Sequence, residues 1–214
     1  MFFRRRKTPA PSEPPAWSAA AVACEFEPLA AEAEESLRAE LAVDTGRVER
    51  LHVLRRDGQP ELLAFDHVRP VPGGRAPDER RFRMVLRDEG PVSPASWRAF
   101  PRSHPLIASL QASRTGGELV ESGDAAFDAR VVIIARDVTP IATLLTEPVR
   151  AALLELLGDE LPAATATCGA RHLGWRLHRE TDPPFRAVET VAARLLRTWA
   201  ALRAVRRSHG TDEA

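Results

Sequence analysis

One segment governs what this chain can become: residues 127–158, FDARVVIIARDVTPIATLLTEPVRAALLELLG. Arg130–Arg136 is a continuous, mostly β-branched run, the pattern of a strand covered on both faces. Thr146 stands where a helix N-cap belongs, and Pro148 is tolerated in a first turn, where its missing N–H has no partner to lose. Val149, Ala152, Leu153 and Leu156 then share one helical face. Gly158 follows at the place where a left-handed C′ residue ends a helix. Strand, connector and capped helix together demand a packed core. The same residues hold no nucleophile pair, no metal-ligand spacing and no phosphate loop.

At 214 residues the chain is long enough for one domain with extensions or two small ones. Basic and acidic residues number 30 each, so no overall field drives it toward nucleic acid or acidic membranes. Lys7 is the only lysine; with abundant Ala, Leu and Pro this reads as a GC-rich bacterial coding bias. Cys24 and Cys168 are too few for a disulfide framework or a zinc cluster, and two reduced, partly buried thiols are expected. No apolar run approaches the roughly 20 residues of a spanning helix. The start, MFFRRRKTPAPSEPP, lacks a signal-peptide apolar run, so a cytoplasmic location is expected.

The expected organisation is a disordered tail over 1–16, a helical segment over 17–45, an α+β domain over 46–209 and a second tail over 210–214. Pro28 divides the helical segment and sits well near a helix start; Leu29, Ala33, Leu37 and Leu41 then give an apolar stripe. Arg47–Arg55 and Glu61–Val68 flank Asp57-Gly58, a hairpin signal. Residues 70–79 read as a loop. Arg80–Asp88 alternates, with Phe82, Met84 and Leu86 on one face. Leu106–Ala112 and Glu118–Glu121 flank a turn at Thr115–Gly117, and a strand pair is expected around Cys168-Gly169. The order predicts an α+β fold: a mainly antiparallel sheet, helices packed on one face and a long C-terminal helix.

That last helix is expected from about Pro184 to Arg207. Phe185, Val188, Ala192, Leu195, Trp199 and Leu202 are spaced along one seam. Arg186, Arg194 and Arg197 lie largely off it, and Arg203, Arg206 and Arg207 crowd the end, where positive charge complements the helix dipole. These arginines are either a face that contacts phosphates or the solvated side of a packed helix. A third reading has the acidic stretch 25–40, with six glutamates against one arginine, lying near them.

Candidate chemistry is sparse. As a strand, RHLGWRLHR points Leu173, Trp175 and Leu177 one way and His172, Arg176 and His178 the other. The two imidazoles are then ~20 Å apart, too far to share a metal. Asp66, Asp124, Asp128 and Asp137 are scattered over different elements, and turn formation explains Asp57 and Asp124 beside glycine. No nucleophile elbow, P-loop or dinucleotide fingerprint is present. No catalytic, cofactor or metal residue is assigned and no cofactor is expected. An enzyme of unrecognised type would draw on His104, His172 or Asp128. Phe2 and Phe3 followed by Arg4, Arg5 and Arg6 could touch an anionic membrane, but only weakly.

The pattern of Phe127-Asp128, an apolar strand, Leu144–Thr146 and Val149–Leu156 resembles a group of uncharacterised bacterial proteins. ATCGARHLGWRL and the helix from Phe185 match the group's glycine-containing strand pair and long helix. The resemblance covers roughly 60–205 and implies a soluble α+β domain, often membrane-anchored in other members. It brings no activity and no site residues. The sequence therefore points first to a non-enzymatic soluble domain acting through protein contacts. Second comes a nucleic-acid accessory protein using Arg194, Arg197, Arg203, Arg206 and Arg207, and third an enzyme.

Overall fold

Alternation of apolar and polar side chains builds one large sheet, because it lets each strand bury one row while the backbone groups pair sideways. The computed structural model describes residues 16–29, 47–70, 79–102, 112–113, 116–158, 164–177 and 185–210. Its strands are β1 Glu27–Pro28, β2 Arg47–Leu54, β3 Glu61–Arg69, β4 Glu79–Arg87, β5 Trp97–Pro101, β6 Glu118–Val120, β7 Val131–Ala135, β8 Ala164–Cys168 and β9 His172–Leu177. All pair antiparallel, in the order β1-β2-β3-β4-β9-β8-β5-β7-β6. The late hairpin β8–β9 is thus inserted between β4 and β5.

Among the described residues, the helices that accompany the sheet include α1 Ala16–Ala23, α2 Ala125–Asp128, α3 Val138–Leu144, α4 Glu147–Leu156 and α5 Phe185–Gly210. Each of them contributes to one core against the same sheet face, where Leu62, Met84, Leu86, Leu173 and Trp175 meet Val149, Leu153, Val188, Leu195 and Leu202. Trp175 stands edge-on to Phe82 with ring centroids 6.3 Å apart. The expected fold is the observed one: α+β, helices on one face and a long helix at the C-terminal end. Within the seam of α5, Val188, Leu195 and Leu202 are fully enclosed, Ala192 is buried and Trp199 is half-buried. Thr198 interrupts that apolar row at no cost in unpaired groups, because its hydroxyl donates to the Arg194 carbonyl at 2.8 Å.

The far sheet face carries two smaller buried clusters. Val48, Leu51, Val53, Leu63 and Phe65 form one, with Leu29 and Val85 against it. Phe100, Ala112, Val132 and Ile134 form the other, so the apolar part of the Arg130–Arg136 run, Val131–Ala135, is covered on both faces while its two arginines are exposed. An even-numbered Val48 shares a face with odd-numbered Leu51 and Val53 because β2 bulges between Glu49 and His52. Arg50 takes the extra position with φ 52°, a left-handed conformation that costs a non-glycine residue about 1–2 kcal/mol. Its guanidinium donates to buried Asp66 at 2.9 Å, which holds the bulge in place.

Several local expectations are corrected. Pro28 does not start a helix: Glu27–Pro28 pairs with Val53 and His52 of β2, Leu29 is not helical, and residues 30–41 of the expected helix lie outside the described residues. Gly158 is not left-handed, since positive φ among glycines occurs at Gly58, Gly116 and Gly123; α4 ends with Leu157 and Gly158 N–H groups bonded back to the last turn. Thr146 occupies the N-cap position of α4 without a side-chain cap bond. Ala112 is helical rather than the end of a strand. The stretch after β7 that read as a connector contains α3. Residues 1–15 and 211–214, His104 and His178 lie outside the described residues, as do Phe2, Phe3, Arg4, Arg5 and Arg6.

Candidate functional site

The inserted β8–β9 hairpin creates the most distinctive surface, on the face away from the helices. Register sets its floor. In one row Arg83 of β4 stands opposite Arg176 of β9. In the next, Val85 faces Gly174, Gly174 faces Thr167 of β8, and Thr167 faces Arg98 of β5. A Cβ on Gly174 would come within 2.9 Å of the Thr167 hydroxyl and 3.6 Å of Val85. Glycine is therefore required for the two neighbouring side chains to close over the backbone at the floor of a depression.

The resulting groove has a volume of about 620 Å³. Phe65, Val85 and Ile134, borrowed from the edges of the two far-face clusters, give it apolar walls. Arg83, Arg98, Arg136, Arg176 and His172 surround these walls, with Asp137 as the only acid among its described lining residues. Gly117 narrows the β6 side: a Cβ there would come within 2.7 Å of Ile134, so β6 lies close against β7. Cys168 also lines the groove, yet it is buried and desolvation pushes its thiol up to about 12. It is no nucleophile at neutral pH.

A second depression of about 620 Å³ lies beyond the Asp57-Gly58 turn, lined by Glu61, Arg87, Asp88, Glu89, Arg171 and Arg203. Four of these charges, Glu61, Arg87, Asp88 and Arg203, are engaged with partners in the fold. Glu61 pairs with Arg55 at 2.7 Å and with Arg87 at 2.8 Å. Burial alone would raise the Glu61 pKa, but the hydrogen bonds and charges of Arg55 and Arg87 outweigh it and hold it low. Asp88 accepts from the Trp199 indole at 2.7 Å and lies 3.7 Å from Arg203, which stacks over the Trp199 ring at 5.1 Å. This cluster ties β4 to α5.

The sequence-derived candidates disperse. Asp66 serves the β2 bulge. Asp124 caps α2 through the N–H groups of Ala126 and Phe127 and pairs with Arg150 at 3.2 Å. The Phe127 N–H foremost, then that of Ala126 and the Arg150 charge, keep its carboxyl below the ordinary value. Asp128 accepts from the Ser122 N–H. Among the described acids and histidines that the sequence singled out, Asp137 and His172 reach the same groove. No group of three His, Cys, Asp or Glu residues that could hold a metal occurs among the described residues. Cys24 and Cys168 are not joined.

The five candidate arginines of α5 are built into the fold. Arg194 donates to the Glu155 carbonyl at 2.6 Å, Arg197 pairs with the Glu155 carboxylate at 3.2 Å, and Arg206 donates to the Pro91 carbonyl at 2.6 Å. Arg203 meets Asp88 and Trp199, and Arg207 also has a contact within the chain. Sequence reasoning missed Arg98, Arg136, Thr167 and Gly174. The one available signal was Gly174 inside a strand pattern, which marks a close approach.

No family model and no curated protein matches the sequence. Among solved structures, the chain is similar to the crystal structure of the mycobacterial trehalose monomycolate transport factor A, TtfA. The TM-score is 0.57 at 6% identity, over 88% of this chain and 93% of that one. The likeness is one of fold. It agrees loosely with the resemblance to a bacterial protein group. Among the described residues no helix is long and apolar enough to cross a membrane.

Proposed function

We propose that this chain is a non-enzymatic soluble domain that works in the cytoplasm through contacts with another protein, made at the groove over Gly174. One observation carries the reading: a broad depression with apolar walls and accessible charged side chains, the composition of a binding surface rather than of a reaction centre. TtfA, of the same fold, is described as a transport factor, which supports an accessory role over a catalytic one.

The test is site-specific photo-crosslinking in cells that express the protein. A benzophenone amino acid replaces Ser96, exposed on the groove, or Ala193, exposed on α5. A discrete protein adduct from Ser96 and none from Ala193 is expected. No adduct from Ser96 would overturn the reading. The nucleic-acid alternative, through Arg194, Arg197, Arg203, Arg206 and Arg207, ranks second because those side chains already hold α5 to its neighbours. Fluorescence anisotropy with labelled DNA tests it, since phosphate contacts must weaken as salt rises.

A further inference from the structure

Resting on the reading of the groove as a protein-contact site, we infer that it receives an acidic peptide segment of the partner, with an apolar residue over Gly174 and carboxylates on either side. The charge pattern supplies the first reason. The chain as a whole is neutral, yet the described groove lining sets four arginines and a histidine against one aspartate. A local excess of this kind on a neutral protein focuses positive potential in a concave place with apolar walls, where screening by water is weaker.

The second reason is placement. Arg83, His172 and Arg176 make other contacts within the chain, so the weight falls on Arg98 and Arg136. Both are exposed, and neither side chain has a hydrogen bond or ion pair with a described residue. Ile134 is the register partner of Arg98, which places Arg98 on the far face. Arg136 follows directly after the end of β7, and both arginines line the groove at its β5–β7 end. Across the groove, Arg176 is two strands from Arg98 and one pleat along, roughly 12 Å between Cα atoms at standard strand spacings. Carboxylates from an extended segment, whose alternate side chains are ~7 Å apart, can meet both sides at once. Guanidinium groups suit that role because they bind carboxylates in bidentate fashion.

The third reason is the floor. Gly174, Val85 and Thr167 offer a site for one small apolar side chain between the charged groups, and Phe65 and Ile134 close it at either end. A phosphate-rich polymer would satisfy the arginines and leave these apolar walls wet. An acidic segment with an interleaved Val or Leu satisfies both. On this chemistry the peptide is favoured over nucleic acid or a lipid surface.

Anisotropy with the full chain tests the inference. The probe is a fluorescein-labelled peptide repeating Glu-Val-Glu-Gly; the comparisons are a Lys-Val-Lys-Gly peptide, single-stranded DNA, and vesicles of phosphatidylglycerol with phosphatidylcholine. The Glu peptide should bind, more weakly as salt rises. R98E/R136E should raise its Kd by about tenfold or more, with R98Q/R136Q intermediate and R197E on α5 unchanged. Equal binding of the Lys peptide, no effect of R98E/R136E, or tighter groove-dependent binding of DNA or vesicles would overturn it. If Ser96 crosslinks a protein while the Glu peptide fails to bind, the acidic specificity is wrong and the contact reading stands. If Ser96 captures nothing, both fall.

Discussion

Removing the Asp88 carboxylate should loosen the long helix from the sheet, and the structure sets the size of the effect. The Asp88 side chain is 12% exposed and takes the Trp199 indole N–H at 2.7 Å. It also accepts the Gly90 N–H at 3.2 Å in the turn after β4. A hydrogen bond to a charged acceptor contributes about 1.5–3 kcal/mol, and a stranded indole N–H adds its desolvation cost. Asp88→Ala should therefore cost about 2–3 kcal/mol, or roughly 4–12 °C in Tm for a chain of this size. Trp199→Phe removes the same bond from the other side while keeping a ring under Arg203. In a double-mutant cycle by guanidinium denaturation, the two should couple by about 1–2 kcal/mol. Asp88→Asn keeps an acceptor oxygen and should cost less than Asp88→Ala. Arg203→Gln should cost under about 1 kcal/mol, because that pair is partly solvated and 3.7 Å long. Coupling below about 0.3 kcal/mol between Asp88 and Trp199 would refute the view that this bond anchors α5.

The close approach at Gly174 predicts that Gly174→Ala destabilises by about 1–3 kcal/mol through its clash with Thr167. Adding Thr167→Ala should recover part of that loss in thermal melts; strict additivity would count against the packing argument. Ellman titration of the native protein at pH 8 should find Cys168 silent, because burial holds its thiol up to about 12. Cys24, raised by partial burial and then by Glu189, should react slowly, and both should react at once in guanidinium. The lowered carboxyl of Glu61 stabilises the fold above its ordinary value of 4.5, and the benefit is lost as pH falls through the lower folded value. Tm measured from pH 7 to pH 3 should thus show Glu61→Gln less stable than the parent near neutrality, the gap closing in acid. A gap that widens in acid would contradict the Arg55 and Arg87 pairing.

How far such features were legible in the sequence differs by element. The Asp57-Gly58 hairpin, the alternating face of β4, the β7 run and the seam of α5 were readable because each rests on a period contained in one segment. β5 escaped notice: Pro91, Pro94 and Pro101 crowd Trp97–Phe100 and disguise a strand that only its partners β7 and β8 stabilise. Pro28 went wrong for a related reason. Alone it favours a helix start, but β2 offers it an edge position where no N–H is needed. Asp66 looked like a stray carboxylate until the bulge brought Arg50 beside it. Nothing local told that His172 would stand in a groove with Arg98 and Arg136.

By itself the chain's pattern determined which side chains turn inward, where the long helix lies and that the sheet is antiparallel, since these follow from periodicity and turn chemistry within a few residues. Which strand lies beside which was settled only in three dimensions. Inserting β8–β9 between β4 and β5 is a choice among edges with equivalent backbone hydrogen-bonding groups, decided by the total burial of the helix-side core. That one choice sets Gly174 between Val85 and Thr167 and gathers around it arginines from three separate strands and from the bend after β7.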